Sequence, residues 1–352
     1  MVAVKDHAER LAGGWGGTVL RTGGTVRRST GHWTPAVHEL LKHLESVGFD
    51  GAPRVFGVDS EGHEVLTFID GQTAASAEGW PEWLRSEGNL VRVARLLRRF
   101  HDAVESFRPG SELQWRDGSR GLQDGEIIGH NDVSLANLVA DSSGRIHSLI
   151  DWDNAGPTTR RRDLAYAAWH VVGLHAHAHA HARGWSQAPD VARRLQMFLD
   201  AYGLQDREGF VDDIIARINE AVRPFHAAVH AGDHGARPFV ALLEGDLEFI
   251  RRNRSALEQS NAFAAGRGGS SSSGVVPQRY RAIVSGHHPS VVATLRWHSD
   301  LFAEPPRDQK SYAGSASIIL VTSRSDQRGW NLPARHGTRS VIHLMNTAVF
   351  YW

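Results

Sequence analysis

Over the first seventy residues, apolar positions fall in short alternating runs separated by turn residues. Thr18–Arg21 and Thr25–Arg28 read as two strands around the turn Thr22-Gly23-Gly24. Thr34-Pro35 then opens a helix, with a capping hydroxyl followed by proline at the first helical position. Val37, Leu40, Leu41, Leu44 and Val47 recur at helical spacing, and Gly48 ends the run. Two more strands fit Pro53–Val58 and Glu64–Ile69, joined by the turn Asp59–Gly62, and Asp70-Gly71 breaks the chain.

From Gly88 the period lengthens. Leu90, Val93, Leu96, Leu97, Phe100 and Val104 share one helix face, away from Arg92, Arg95, Arg98 and Arg99. A strand–loop–strand stretch runs from Glu126 to Asp153, and helical patterns follow at Asp163–His170, Val191–Tyr202, Phe210–Val229 and Phe239–Leu257. A small strand-rich lobe thus precedes a larger helical lobe, with a hinge near residues 67–72. Beyond Asn261, Gly266–Gly274 has a linker composition, and no packed-domain pattern follows it. The expected organisation is an N-lobe over 1–71, a C-lobe over 72–262 and an irregular tail over 263–352.

Composition sharpens this division. Basic and acidic residues balance at 39 each, but from Gly266 onward there are ten basic and four acidic ones, leaving the body mildly acidic. The balance gives no sign of a nucleic-acid partner. No apolar run approaches the ~20 residues of a membrane span. Cys is absent, which excludes disulfides and thiolate metal sites, and no secretory signal is visible. Together these give the expectation of a cytoplasmic protein; oligomeric state is left open. Lys occurs only at positions 5, 42 and 310, so arginine must do most work usually given to lysine.

The densest chemistry lies at Ile127-Ile128-Gly129-His130-Asn131-Asp132, followed by Asn137 and then Ile150-Asp151-Trp152-Asp153. An apolar strand enters His-x-Asp, four residues separate Asp132 from Asn137, and a second apolar strand ends at Asp151. Phosphoryl transfer needs such a set: a carboxylate for the proton of an attacking hydroxyl, and an amide and carboxylate as hard oxygen ligands for Mg²⁺. With Asp163 in Arg-Asp-Leu-Ala-Tyr-Ala, the stretch resembles the aminoglycoside phosphotransferase family, kinase-like enzymes that include choline and homoserine kinases. The resemblance covers roughly residues 10–257.

It implies an α+β, protein-kinase-like two-lobe fold, with a small antiparallel-sheet N-lobe and a larger, mostly helical C-lobe. It also implies a transfer from ATP, or alternatively GTP, with Mg²⁺, to a small-molecule hydroxyl. Asp132 would be the catalytic base, with His130 supporting its loop and Asp163 buttressing it. Asn137 and Asp151 would be metal ligands, Asp153 a second metal contact. The glycine hairpin with Gly14, Gly16 and Gly17 would cover the phosphates. Arg28 stands where the family has a lysine, with Arg27 as the alternative register and Glu39 as its expected ion-pair partner. Thr67, Phe68 and Ile69 would offer backbone groups to the nucleobase. The acceptor stays open among aminoglycoside-, choline- and homoserine-like alcohols. The missing lysine keeps a second reading, a nucleotide- or ligand-binding module without transfer.

Two features stand outside this scheme. The run from His175 to His181 places histidines at every second position, giving two i,i+4 pairs on different helix faces. No carboxylate with ligand spacing is near in sequence, so a surface stretch is expected rather than a zinc site. Trp80, Trp83 and Trp115 could face a cationic acceptor, but packing between lobes is the stronger expectation.

Overall fold

In the computed structural model, residues 8–11, 19–74, 81–182 and 184–262 are described. The expected glycine contacts at Gly14, Gly16 and Gly17, Trp80, and the tail 263–352 lie outside them.

Five antiparallel strands form the N-terminal sheet: β1 (Glu9–Arg10), β2 (Leu20–Thr22), β3 (Thr25–Ser29), β4 (Val55–Val58) and β5 (His63–Thr67), in the order β1-β2-β3-β5-β4. The β3–β5 register sets Val26 against Leu66 and Arg28 against Glu64. Side chains two apart share a face, so this pairing brings Arg28 and Glu64 together. Arg27 points the other way, to Asp59 at 3.4 Å.

Helix α1 (Thr34–Ser46) buries Ala36, Val37, Leu40, Leu41 and Leu44, and Val47 follows it exposed. The Thr34 hydroxyl does not cap this helix. It accepts the Gly31 N–H at 2.9 Å, because the helix begins at Thr34 itself, with Trp33 at the cap position.

The helical lobe starts with α2 (Glu82–Arg85) and α3 (Glu87–Ala103), whose first turn is capped by Ser86. Buried Asn89 joins α3 to the hairpin of β7 (Leu138–Ala140) and β8 (Ile146–Leu149). Its amide donates to the carbonyls of Trp83 at 2.7 Å and Gly144 at 2.6 Å, and accepts the Ile146 N–H at 3.0 Å. A second pair, β6 (Ile127–Gly129) with β9 (Gly156–Thr158), flanks the loop between them. Helices α4 (Arg160–Val172), α5 (His177–Ala182), α6 (Val191–Tyr202), α7 (Phe210–His230) and α8 (Arg237–Ala262) complete the lobe. α7 packs on α8 and α4, and α6 packs on α3.

One continuous apolar core runs through both lobes, from Leu40 and Leu41 through Phe100 and Trp152 to Trp169 and Ile250. This small antiparallel sheet with one helix, ahead of a larger helical lobe carrying two short hairpins, is a protein-kinase-like fold. Trp115 is fully buried and offers no ring face to a ligand. No helix among the described residues is long and apolar enough to cross a membrane.

The expected surface character of the histidine run is overturned. His175 and His179 are buried and His177 and His181 exposed. α5 begins only at His177, and the turn before it brings His175 inward beside His179, where α8 supplies the carboxylate that local spacing did not reveal.

Candidate active site

The loop after β6 turns sharply at Asn131, which has a left-handed backbone with φ 59°. Asn tolerates this conformation better than most residues. Here its side chain is also anchored, donating to the carbonyls of Asn154 at 3.3 Å and Gly156 at 3.2 Å. Gly129 is required just before it, because a Cβ there would collide with Thr158 and crowd the Asp163 carboxylate.

Asp163, on the first turn of α4, holds this loop from beneath. Its Oδ1 accepts the Asn131 N–H at 2.7 Å, and its Oδ2 accepts the His130 N–H and the His101 Nε2–H, each at 3.0 Å. Burial works against its charge, but His101 and His130 hold the carboxyl below its ordinary value. His130 is fully buried against the Trp152 ring and donates from Nε2 to the Ile150 carbonyl at 3.2 Å. Burial pushes its own proton affinity down, so the ring is neutral.

Asp132 emerges from the turn with 2 % of its surface exposed. The Tyr166 hydroxyl donates to its Oδ1 at 2.8 Å and the Asn154 amide to its Oδ2 at 3.0 Å. Its backbone carbonyl accepts the Asn137 amide at 2.9 Å. Burial, with repulsion from Asp151, raises the carboxyl to about 7, and the hydrogen bonds oppose that rise. A carboxyl in this setting exchanges its proton near neutral pH.

Asp151 has the other left-handed non-glycine backbone among the described residues, φ 61°. Ile150 N–H donates to the Asn137 carbonyl at 3.0 Å, which ties the end of β8 to the Asp132 loop. Asn137 thereby lies beside Asp132, and Asp151 is near enough to repel its charge; the oxygen atoms of Asn137, Asp151 and Asp153 are of the hard kind that Mg²⁺ takes.

Arg28 reaches across from the sheet to the same place. Its Nε donates to Glu64 at 2.5 Å, Nη1 to Asp151 at 3.2 Å and Nη2 to Asp153. Burial opposes its charge, yet Asp153, Asp151 and Glu64 raise its proton affinity above the ordinary arginine value. The expected partner Glu39 is not there: it sits on the exposed face of α1. One helical residue earlier, buried His38 turns inward and bonds Glu64 through Nε2 at 3.0 Å. The hinge expectation also changes. The N–H groups of Thr67 and Phe68 donate to the carbonyls of Arg54 and Gly24 at 2.9 and 2.8 Å, so they are already used within the lobe.

Several site residues escaped the sequence reading. Tyr166 lies three residues after Asp163, the spacing of one helix face, and that signal was available. Glu64 needed the strand register, and His101 and Asn154 needed the packing.

The triplet arginines opening α4 are also engaged. Arg160 pairs with Asp102 at 2.6 Å, Arg161 with Asp213 and Arg162 with Glu220.

A model of the phosphotransferase enzyme family matches residues 112–208, which include the Asp132 loop and Asp163. The trifolitoxin immunity protein of Rhizobium leguminosarum bv. trifolii is 38% identical over 240 residues, 66% of this chain and 89% of that protein. Among solved structures, a choline/ethanolamine kinase family protein from Mesorhizobium loti aligns with a TM-score of 0.46 at 19% identity, over 76% of this chain and 94% of that one. The GDP complex of aminoglycoside 2'-phosphotransferase-IIIa aligns with a TM-score of 0.45 at 13% identity, over 74% and 95%. With a relative of that identity matched over nearly its full length, and the family's own pattern centred on the loop just described, the chain belongs to the phosphotransferase enzyme family.

Proposed function

We propose that this chain is an ATP- and Mg²⁺-dependent phosphotransferase acting on a hydroxyl of a small molecule. The observation that carries this reading is Asp132: a buried carboxylate, oriented by Tyr166 and Asn154, with its proton affinity raised to about 7. Asp132 accepts the proton of the acceptor hydroxyl and aligns that oxygen for attack. Asn137 and Asp151 hold the metal, with Asp153 as a further contact. Bound there, Mg²⁺ would neutralise charge on the transferred phosphoryl group. His130 stays neutral and keeps the loop in place. Arg28 supplies a permanent positive charge beside the phosphates, where a fork of donors suits phosphate oxygens.

The acceptor is a separate matter. The 38%-identical relative is named for immunity to trifolitoxin, so trifolitoxin belongs in the acceptor panel beside aminoglycosides, choline and homoserine. The test is consumption of ATP, and of GTP for comparison, with that panel and Mg²⁺. Acceptor-dependent turnover that Asp132→Ala abolishes, with the fold retained by circular dichroism, is the expected result. Wild-type-like turnover in Asp132→Ala would overturn the assignment.

One observation favours a second reading, a module that binds nucleotide without transferring phosphate. The Arg28 guanidinium engages Asp151 and Asp153 together, the side chains that would otherwise take the metal. Tight Mg–ATP binding with no turnover across the panel would select it.

A further inference from the structure

The inward-facing pair of the histidine run meets a carboxylate from a distant part of the chain. Asp246, in the middle of α8, is fully buried, as is His175, and His179 is 3 % exposed. The Asp246 Oδ2 lies 2.8 Å from His175 Nδ1 and 3.0 Å from His179 Nδ1, and the two imidazole rings are 4.2 Å apart between centroids. One ligand atom from each of the three residues falls within 4.8 Å of the others.

The surroundings have the character of a supporting shell. Trp169 Nε1 donates to Asp246 Oδ2 at 3.0 Å, and the Ala176 N–H donates to Oδ1 at 2.8 Å. These bonds fix the carboxylate's direction from α4 and from the turn before α5. Ligating carboxylates are commonly oriented by such hydrogen bonds. The charge itself is firmly placed: burial disfavours it, but His175 and His179 hold the Asp246 carboxyl far below the ordinary range.

We propose that His175, His179 and Asp246 form a structural binding site for a divalent ion of borderline softness, with zinc as its first candidate. Two imidazole nitrogens and one carboxylate oxygen are zinc's usual nitrogen and oxygen ligands, and a chain without cysteine has no thiolate alternative. Zinc bonds of about 2.0–2.2 Å place tetrahedral ligands roughly 3.3 Å apart, so the nitrogens must open from the carboxylate by about half an ångström. Without metal each Nδ1 donates to the ionised Asp246 carboxylate, so an ion bound through Nδ1 displaces those two protons to Nε2 or to solvent. Burial excludes a substrate from the fourth position, which leaves it to a water molecule.

The ion would tie the α5 turn to α8 beside α4, one helical turn along from the contact that α4 makes with the catalytic loop. Trp169 touches the site, and Tyr166, one turn earlier, orients Asp132. The site is distinct from the Mg²⁺ ligands proposed above, and its occupancy does not depend on turnover.

The test uses the full chain, freed of metal with a chelator and titrated with Zn²⁺ alone, then with Co²⁺ as a spectroscopic probe. The expected result is one equivalent of Zn²⁺ retained through gel filtration, and tetrahedral Co²⁺ absorption that Zn²⁺ displaces. His179→Gln and Asp246→Asn each lower affinity by about 100-fold or more, and Trp169→Phe by roughly 10-fold. The chain has 21 histidines, so surface binding needs its own control. The variant H177A/H181A alters only the outward pair and keeps wild-type affinity. Should a site variant fail to fold, the wild-type stoichiometry and the outward-pair control still decide. Absence of stoichiometric Zn²⁺ binding in the wild type overturns the proposal. So does binding that is lost in H177A/H181A but kept in His179→Gln.

Discussion

Replacing Asp163 by Asn tests the support beneath the catalytic loop with a change of one atom. The carboxylate accepts three hydrogen bonds, from the N–H groups of Asn131 and His130 and from His101 Nε2, with no exposed surface. An amide has one oxygen. Whichever way it turns, its NH₂ faces at least one N–H donor, leaving a buried donor unpaired at about 1–3 kcal/mol. The bonds that remain lose their charge assistance, about 1 kcal/mol each. The sum, roughly 3–5 kcal/mol, agrees with the usual cost of breaking a buried ion pair. For a body of this size it lowers Tm by roughly 6–20 °C.

The effect has a pH signature. Because the folded state lowers the Asp163 proton affinity, its stabilisation is complete above an unfolded carboxylate's value of about 4. It is lost as pH falls through the folded value. Urea unfolding of wild type and Asp163→Asn at pH 7, 5.5, 4 and 3 should therefore show a gap that narrows only in acid. A variant within about 1 kcal/mol of wild type at pH 7, or a gap constant down to pH 3, would refute this account of the loop.

Tyr166→Phe removes a donor to the charged form of Asp132, so the carboxyl rises further above about 7. The acid limb of the kcat/KM profile then moves up by about one pH unit; an unmoved limb would show that Tyr166 does not tune the base. Arg28→Gln leaves buried Glu64 without its cation and sets Asp151 and Asp153 against each other, at a cost of about 3 kcal/mol. Melting curves with and without Mg²⁺ should show the ion stabilising this variant more than wild type, and equal stabilisation would count against Asp151 and Asp153 as ligands. Asn89→Ala strips three buried hydrogen bonds joining α3 to the β7–β8 hairpin, which predicts a loss of about 2–4 kcal/mol in urea unfolding with no change at Asp132.

What the sequence revealed depended on the range of the signal. Helices α3, α6 and α7 were legible because their apolar faces repeat every three to four residues. The Asp132–Asn137–Asp151 set was legible because one short hairpin carries it. Arg28 was found by strand alternation, which separates it from Arg27 on the opposite face. Its partner was missed because a helix turns about 100° per residue: one step exchanges exposed Glu39 for buried His38. Glu64 required the β3–β5 register, which no single strand encodes. Asp246 lies 67 residues beyond His179, and only the packing of α5 against α8 joins them. That the N–H groups of Thr67 and Phe68 are taken was hidden for a related reason, since their acceptors, Arg54 and Gly24, belong to neighbouring segments.

The use of Arg28 in place of a lysine also sets how this cleft responds to covalent chemistry. An arginine stays protonated at any pH at which the chain is folded, so the cleft offers no free amine to acylating reagents or aldehydes among its described residues. Lys42 is the only lysine among them, and it lies on the exposed side of α1. Nucleotide probes that label kinases through an active-site amine would therefore find none among the described residues of this cleft, and Arg28, held protonated by Glu64, Asp151 and Asp153, would resist the dicarbonyl reagents that condense with free guanidines.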